Sequence, residues 1–442
     1  MMISQHPDEL LKALQNDDIS DLENLSNREA LTDIFIQSNK AIRIEMMTKD
    51  APALAIAAFE GSVKSFQYLW ENGSSLLTND LDSRSIEHFA CAGGHMDMIQ
   101  YLDQIGANFE KLDRALRSPC HYACLYGQYD VVTWLSIRGI DINTTDLTGQ
   151  STLHAAALSG NIELVQYLLD NNADIGTFAQ EHVSVLCFGI KSKNYELFKF
   201  LLEKGAPIDP PTTHSNLLAY ACEFGCKQIV DHLIQQGYNI NSKETTGWTP
   251  LNFALKGKNT EIAASLIKRD IIIDNKDMYG MLPIHWAAKF DLLEPVILLI
   301  SRGCNFDVKN KKGYTPFFLA AGYGGRETAQ YLADKGANIN TVDHLGFTAF
   351  MFAAINGNLD IVKFLHEKGA NMNASDMQGN TAAHYAASNG KKDIVMYLVD
   401  HGANVSMRNK QGRTPFEEAK LANQIECVAL LPPPDNQTCR IC

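Results

Sequence analysis

Five histidines, His88, His121, His154, His285 and His384, stand at equivalent places in a chain of 442 residues, and a neutral imidazole is the commonest protein ligand for zinc. Ten cysteines accompany them. Cys91, Cys124 and Cys222 share one column of the same spacing, and Cys439 and Cys442 form a CxxC pair in Thr438-Cys439-Arg440-Ile441-Cys442. The stretch Ala320-Ala321-Gly322-Tyr323-Gly324-Gly325 has a passing likeness to a phosphate-binding loop. Metal binding, thiol chemistry and nucleotide binding are therefore the three chemistries to weigh.

The elements that must position these residues argue against all three. Steps of 33 residues from Gly73, with one step of 32, land on Gly106, Gly139, Asn172, Gly205, Gly237, Asp270, Gly303, Gly336, Gly369 and Gly402. Glycine, Asn and Asp are the residues that best tolerate the left-handed backbone just past a helix end. Four residues before these stops the chain has Leu69, Leu102, Leu135, Leu168, Leu201, Leu233, Leu266, Leu299, Leu332, Leu365 and Leu398, and the series continues at Leu431. A third column, running from Ala57 and Ala90 through Gly189 to Ala386 and Ala419, accepts only small side chains. A period of this length is the mark of stacked helical repeats.

Stacked layers lie about 8 to 10 Å apart, whereas the ligands of one zinc sit about 2 Å from it. The histidine column therefore reads as a structural hydrogen bond at each turn-helix junction. The cysteines beside the small column read as buried thiols, which suits a reducing compartment, cytoplasmic or nuclear. The glycine stretch follows a helix rather than a strand and lacks the third spaced glycine. No nucleophile elbow, P-loop or distinct carboxylate pair appears, so the expectation is a noncatalytic protein without cofactor or metal.

Residues 146 to 175 show one unit in full. Ser151 stands at an N-cap, Leu153, Ala156 and Ala157 form an inward face, Gly160 ends the first helix, and Leu164, Val165, Leu168 and Leu169 carry the second. STLHAAALSGN at 151 to 161, TAAHYAASNGK at 381 to 391 and LPIHWAAKFDL at 282 to 292 resemble the TPLHxAAxxGH pattern of the ankyrin-repeat family, and the resemblance runs from about residue 51 to 431. It implies an all-α solenoid of about twelve turn-helix-helix units in a curved superhelix, with a partner protein held on the concave face.

Residues 1–50 read as a helical N-terminal cap, with a worn helix pair at 8 to 25 and helices continuing through REALTDIFIQSNKAIRIEMM. Residues 51–431 form the array and 432–442 a flexible tail. The array is irregular near 176–215, where Pro207, Pro210 and Pro211 lack amide donors and no glycine-containing turn is recognisable; a weak joint is expected near residue 210. The net charge of −13 opposes binding to a phosphate backbone, and no apolar run approaches the ~20 residues that span a bilayer. The chain reads as a monomer with a protein partner, no nucleic acid and no membrane span.

The columns that flank the turn glycine and follow the paired alanines hold Trp248, Met278, Tyr279, Met281, Phe290, Tyr314, Tyr323 and Phe347, an aromatic and methionine strip suited to a partner. The other reading of this strip is that its rings stack on neighbouring turns and stiffen the array. Arg84, Arg114 and Arg117 read as a small exposed basic spot for a carboxylate-rich segment. At the C-terminus, Cys-Arg-Ile-Cys resembles the opening of a variant RING domain whose further ligands are not in this sequence. Two alternatives to a plain adaptor thus stay open: the substrate-recognition arm of a ubiquitin ligase, and an adaptor tethered by lipid at Cys439 or Cys442.

Overall fold

A helix of two turns cannot cover its own apolar face, so each repeat pairs two short helices and leans on the next pair. The computed structural model describes residues 2–3, 7–26, 34–36, 51–208 and 216–433. They fall into two compact units, Met1–Leu217 and Leu218–Cys442.

The first unit begins with the helices Pro7–Asn16 and Ile19–Ser26. Helices do not run through the whole of REALTDIFIQSNKAIRIEMM as expected: Ile34–Ile36 is a strand, parallel to Met2–Ile3 and antiparallel to Ala51–Pro52. Two isoleucines around a phenylalanine favour a pleated surface over a helix. The rest of that stretch lies outside the described residues. Helix pairs then follow, from Ala53–Glu60 with Val63–Glu71 to Val185–Lys191 with Tyr195–Glu203. The second unit carries pairs from Leu217–Phe224 with Lys227–Gln235 to Pro415–Leu421 with Ile425–Leu430.

Within each unit the first helices pack side by side through the small column, whose alanines are completely buried. At Gly189 even a methyl group would stand 2.6 Å from Leu201 Cδ1. The column leucines are no more than 4% exposed. Most second helices close through a left-handed residue: Gly106 has φ 81° and Asn172 has φ 67°. The next residue donates back to the leucine carbonyl, as Ala107 N–H does to Leu102 O at 3.0 Å. Asp270 departs from this pattern, because its φ is not positive and the helix closes through Arg269 N–H to Leu266 O at 3.0 Å instead.

The histidines cap the first helices. In the Thr152–Ser159 helix, Ser151 N–H donates to His154 Nδ1 at 3.2 Å while the His154 N–H reaches back to Ser151 Oγ at 3.4 Å. The far ring nitrogen ties one layer to the next: His88 Nε2 bonds Arg117 O at 3.0 Å, His285 Nε2 bonds Val308 O at 3.0 Å, and His384 Nε2 bonds Arg413 O at 3.0 Å. Since Nδ1 accepts, the proton resides on Nε2. Asn252 takes the same place against Thr249, and Glu417 against Thr414. Leu282 has no side-chain acceptor, so only the return bond from its N–H to His285 Nδ1 is made, at 3.0 Å.

Irregularity at 176–215 takes a specific form. The turn is rebuilt without glycine: Phe178–Ala179 pairs antiparallel with Val183–Ser184 around Glu181 and His182, both at φ 61°, and the Phe178 and His182 rings stack at 4.0 Å. Its Gln180 N–H still bonds Thr148 O of the preceding turn at 2.8 Å. Pro210, Pro211 and the rest of 209–215 lie outside the described residues. Cys91, Cys124 and Cys222 are buried free thiols, with burial first among the causes that raise their pKa. Among the described residues no helix is long and apolar enough to cross a membrane.

Ala287→Leu places a larger side chain at the buried contact between layers and is expected to cost about 1 to 3 kcal/mol in urea unfolding. Limited proteolysis of the native chain is expected to cut first within 176–215; a first cut elsewhere removes the weak joint.

Burial pushes His121, His154 and His285 down to about 4, below the free imidazole value near 6.5. An imidazole held neutral in the folded chain takes up its proton more readily once unfolded. This stability is therefore whole above pH ~6.5 and drains away as pH falls toward 4, by up to about 3 kcal/mol per histidine. His154→Asn, which copies the natural Thr249–Asn252 cap, is expected to flatten the loss of stability between neutral pH and pH ~5. An unchanged slope in urea titrations across that range would exclude this role for His154.

Candidate functional site

The turns that project beyond the first helices are built around one acceptor each. Asp277 Oδ1 takes the N–H groups of Tyr279 at 2.9 Å and Met281 at 2.8 Å, Asn310 Oδ1 those of Lys312 at 2.9 Å and Tyr314 at 3.0 Å, and Asp343 Oδ1 those of Leu345 and Phe347 at 2.8 Å. Adjacent turns are then stitched together: Met278 N–H bonds Thr246 O at 2.9 Å, Lys311 N–H bonds Tyr279 O at 3.0 Å, and His344 N–H bonds Lys312 O at 3.1 Å. The backbone that carries the candidate strip is thereby fixed before any partner arrives.

The strip divides into two sets. Trp248 lies 4.7 Å from Trp286 between ring centroids, Phe290 stacks on Trp286 at 5.8 Å, Tyr314 stacks on Phe318 at 4.6 Å, and Phe347 meets Tyr385 edge-on at 5.0 Å. These four are half-buried; the Trp248–Trp286 and Phe347–Tyr385 contacts cross to the next repeat, whereas Phe290 and Tyr314 stack on rings of their own repeat. Met278, Tyr279 and Tyr323 are about half exposed, at 52%, 52% and 51%. Met281 departs from the expectation: it is buried, because the turn points it inward against Asn310, whose Nδ2 lies 3.0 Å from its sulfur.

Met278, Tyr279 and Tyr323, with Tyr314, border a groove of about 400 Å³ that has Trp286 and Lys289 in its wall. The sequence reading missed these last two. Trp286 is fixed by its indole N–H to Asp277 Oδ2 at 2.9 Å. The Lys289 ammonium lies over three rings, 4.9 Å from Trp286, 5.0 Å from Tyr323 and 5.8 Å from Phe290. The signal available was local: Trp286 follows the capping His285, and Lys289 ends the same helix.

The arginine expectation also changes. Arg84 is buried, its Nε donating to Asp80 Oδ2 at 2.6 Å, and Arg117 is half-buried with its Nε 3.0 Å from Asp146 Oδ2. Burial opposes the charge of Arg84, but its hydrogen bond to Asp80 together with the attraction of Asp80, Tyr122 and Asp82 outweighs that cost and raises its pKa. Arg114 alone of the three is exposed, so no open basic spot forms. Each of the other two already has a carboxylate inside its own unit. Cys439 and Cys442 lie outside the described residues. Among the described residues no group of three or more His, Cys, Asp or Glu side chains could hold a metal ion.

A family model described as ankyrin repeats (3 copies) matches residues 54–146, 121–212, 218–310, 291–376 and 370–439. No curated protein matches the chain. Ankyrin repeats are generally protein-protein interaction modules. The matched segments span most of the helix pairs described above, with their capped first helices and glycine-closed second helices, and the chain belongs to the ankyrin-repeat family.

Proposed function

We propose that this chain is a noncatalytic adaptor that holds a partner protein on the face made by its turns and first helices, with the main grip at the groove beside Met278, Tyr279 and Tyr323. The observation that carries the reading is that these three large side chains stay half exposed on a backbone already tied down on both sides. A preorganised surface lowers the ordering cost of association, and exposed tyrosines contribute more per residue than most side chains. Trp248, Phe290, Tyr314 and Phe347 support the grip by stiffening the layers beneath it.

Replacing Met278, Tyr279 and Tyr323 together by Ala is expected to weaken capture of the cellular partner by ~2 kcal/mol or more, with only a small loss in thermal unfolding from the edge contact of Tyr323 with Phe352. Trp248→Ala is expected to do the reverse, lowering stability through the lost contacts with Trp286 and Phe253. Full capture by the triple variant would remove the groove from the reading.

A further inference from the structure

The geometry points to the kind of partner the groove accepts: an acidic segment of another protein, in which Asp or Glu residues flank one large apolar side chain. This inference rests on the docking role proposed above and adds its chemistry.

Among the described residues, three lysines border the groove, Lys289, Lys311 and Lys312, and no carboxylate does. In a chain of net charge −13 that is a local reversal of sign. Lys289 Nζ is held by the three rings beneath it, and Lys311 Nζ donates to Met278 O at 2.9 Å, which leaves its other protons for an acceptor. Lys311 and Lys312 are exposed. Of the carboxylates in these turns, Asp277 is buried and bonded to Trp286, Tyr279 and Met281, while Asp343 is half-buried with its Oδ1 taken by the Leu345 and Phe347 N–H groups.

The floor is apolar and the rim cationic. At about 400 Å³ the groove falls at the small end of ligand pockets, suited to an inserted side chain rather than a folded domain. An apolar side chain would cover Tyr279, Tyr323 and Met278, and flanking carboxylates would meet the ammonium groups. A nucleic acid also carries negative charge, yet the remaining charge of the chain repels it.

The test selects binders to the full chain from a random short-peptide library and measures each by fluorescence anisotropy. The expected binders carry several Asp or Glu around an aromatic or aliphatic residue, and their affinity falls about tenfold or more in Lys289→Met combined with Lys311→Gln and Lys312→Gln. Their binding also weakens as salt rises, and the same peptides with Lys in place of the acids do not bind. Binders without acids, or affinity indifferent to the lysine changes, overturn the acidic assignment; loss in the Met278, Tyr279 and Tyr323 alanine variant would then still uphold docking at the groove. Indifference to both sets of changes, or no enriched peptide at all, overturns both. Displacement of the peptide by single-stranded oligo-dT overturns the assigned partner class.

Discussion

No repeat in this chain can cover its own apolar face, and the contact between neighbouring layers is the constraint on which the rest depends. First helices of seven or eight residues are too short to persist alone, so they survive by packing side by side through the alanine column. Small side chains there let the backbones approach, and the buried leucines fill the space behind them. The histidine caps serve the same contact, since His88, His285 and His384 each bond a carbonyl of the following layer. Keeping those rings neutral makes the layer contact itself sensitive to acid.

The same constraint explains which aromatic residues remain exposed. Rings near the base of the projecting turns touch other rings, between repeats for Trp248 on Trp286 and within one repeat for Phe290 on Trp286. Their faces are thereby partly covered. Met278 and Tyr279 sit further out, on a turn whose backbone is held by Asp277 and by the carbonyl of Thr246, and half of each side chain stays open to solvent. What the surface offers a partner is thus the remainder after the layers have packed.

Charge follows a related division. Acidic residues of the turns are consumed locally by N–H groups, an indole or an arginine, as at Asp277 and Asp80. Asp277 and Asp80 thus add to the net negative charge from buried positions. Lys289 and Lys311 instead meet rings and a carbonyl, which leave their charge uncancelled, so a chain that is acidic as a whole carries a cationic rim here.

Sequence periodicity alone determined the helix pairs, their left-handed closures and the buried leucine, alanine and cysteine columns, because each depends on residue type at a fixed spacing. Even there Asp270 closed its helix differently, its side chain tolerating the left-handed backbone without requiring it as glycine's freedom invites, and Ile34–Ile36, which belongs to no column, became a strand. Tertiary structure decided the site. That Tyr279 is exposed and Met281 buried, or that Arg84 is paired with Asp80 and Lys289 set over rings, depends on which neighbour reaches the side chain first. Spacing along one chain sets the layers; distances between layers set what is left on the surface.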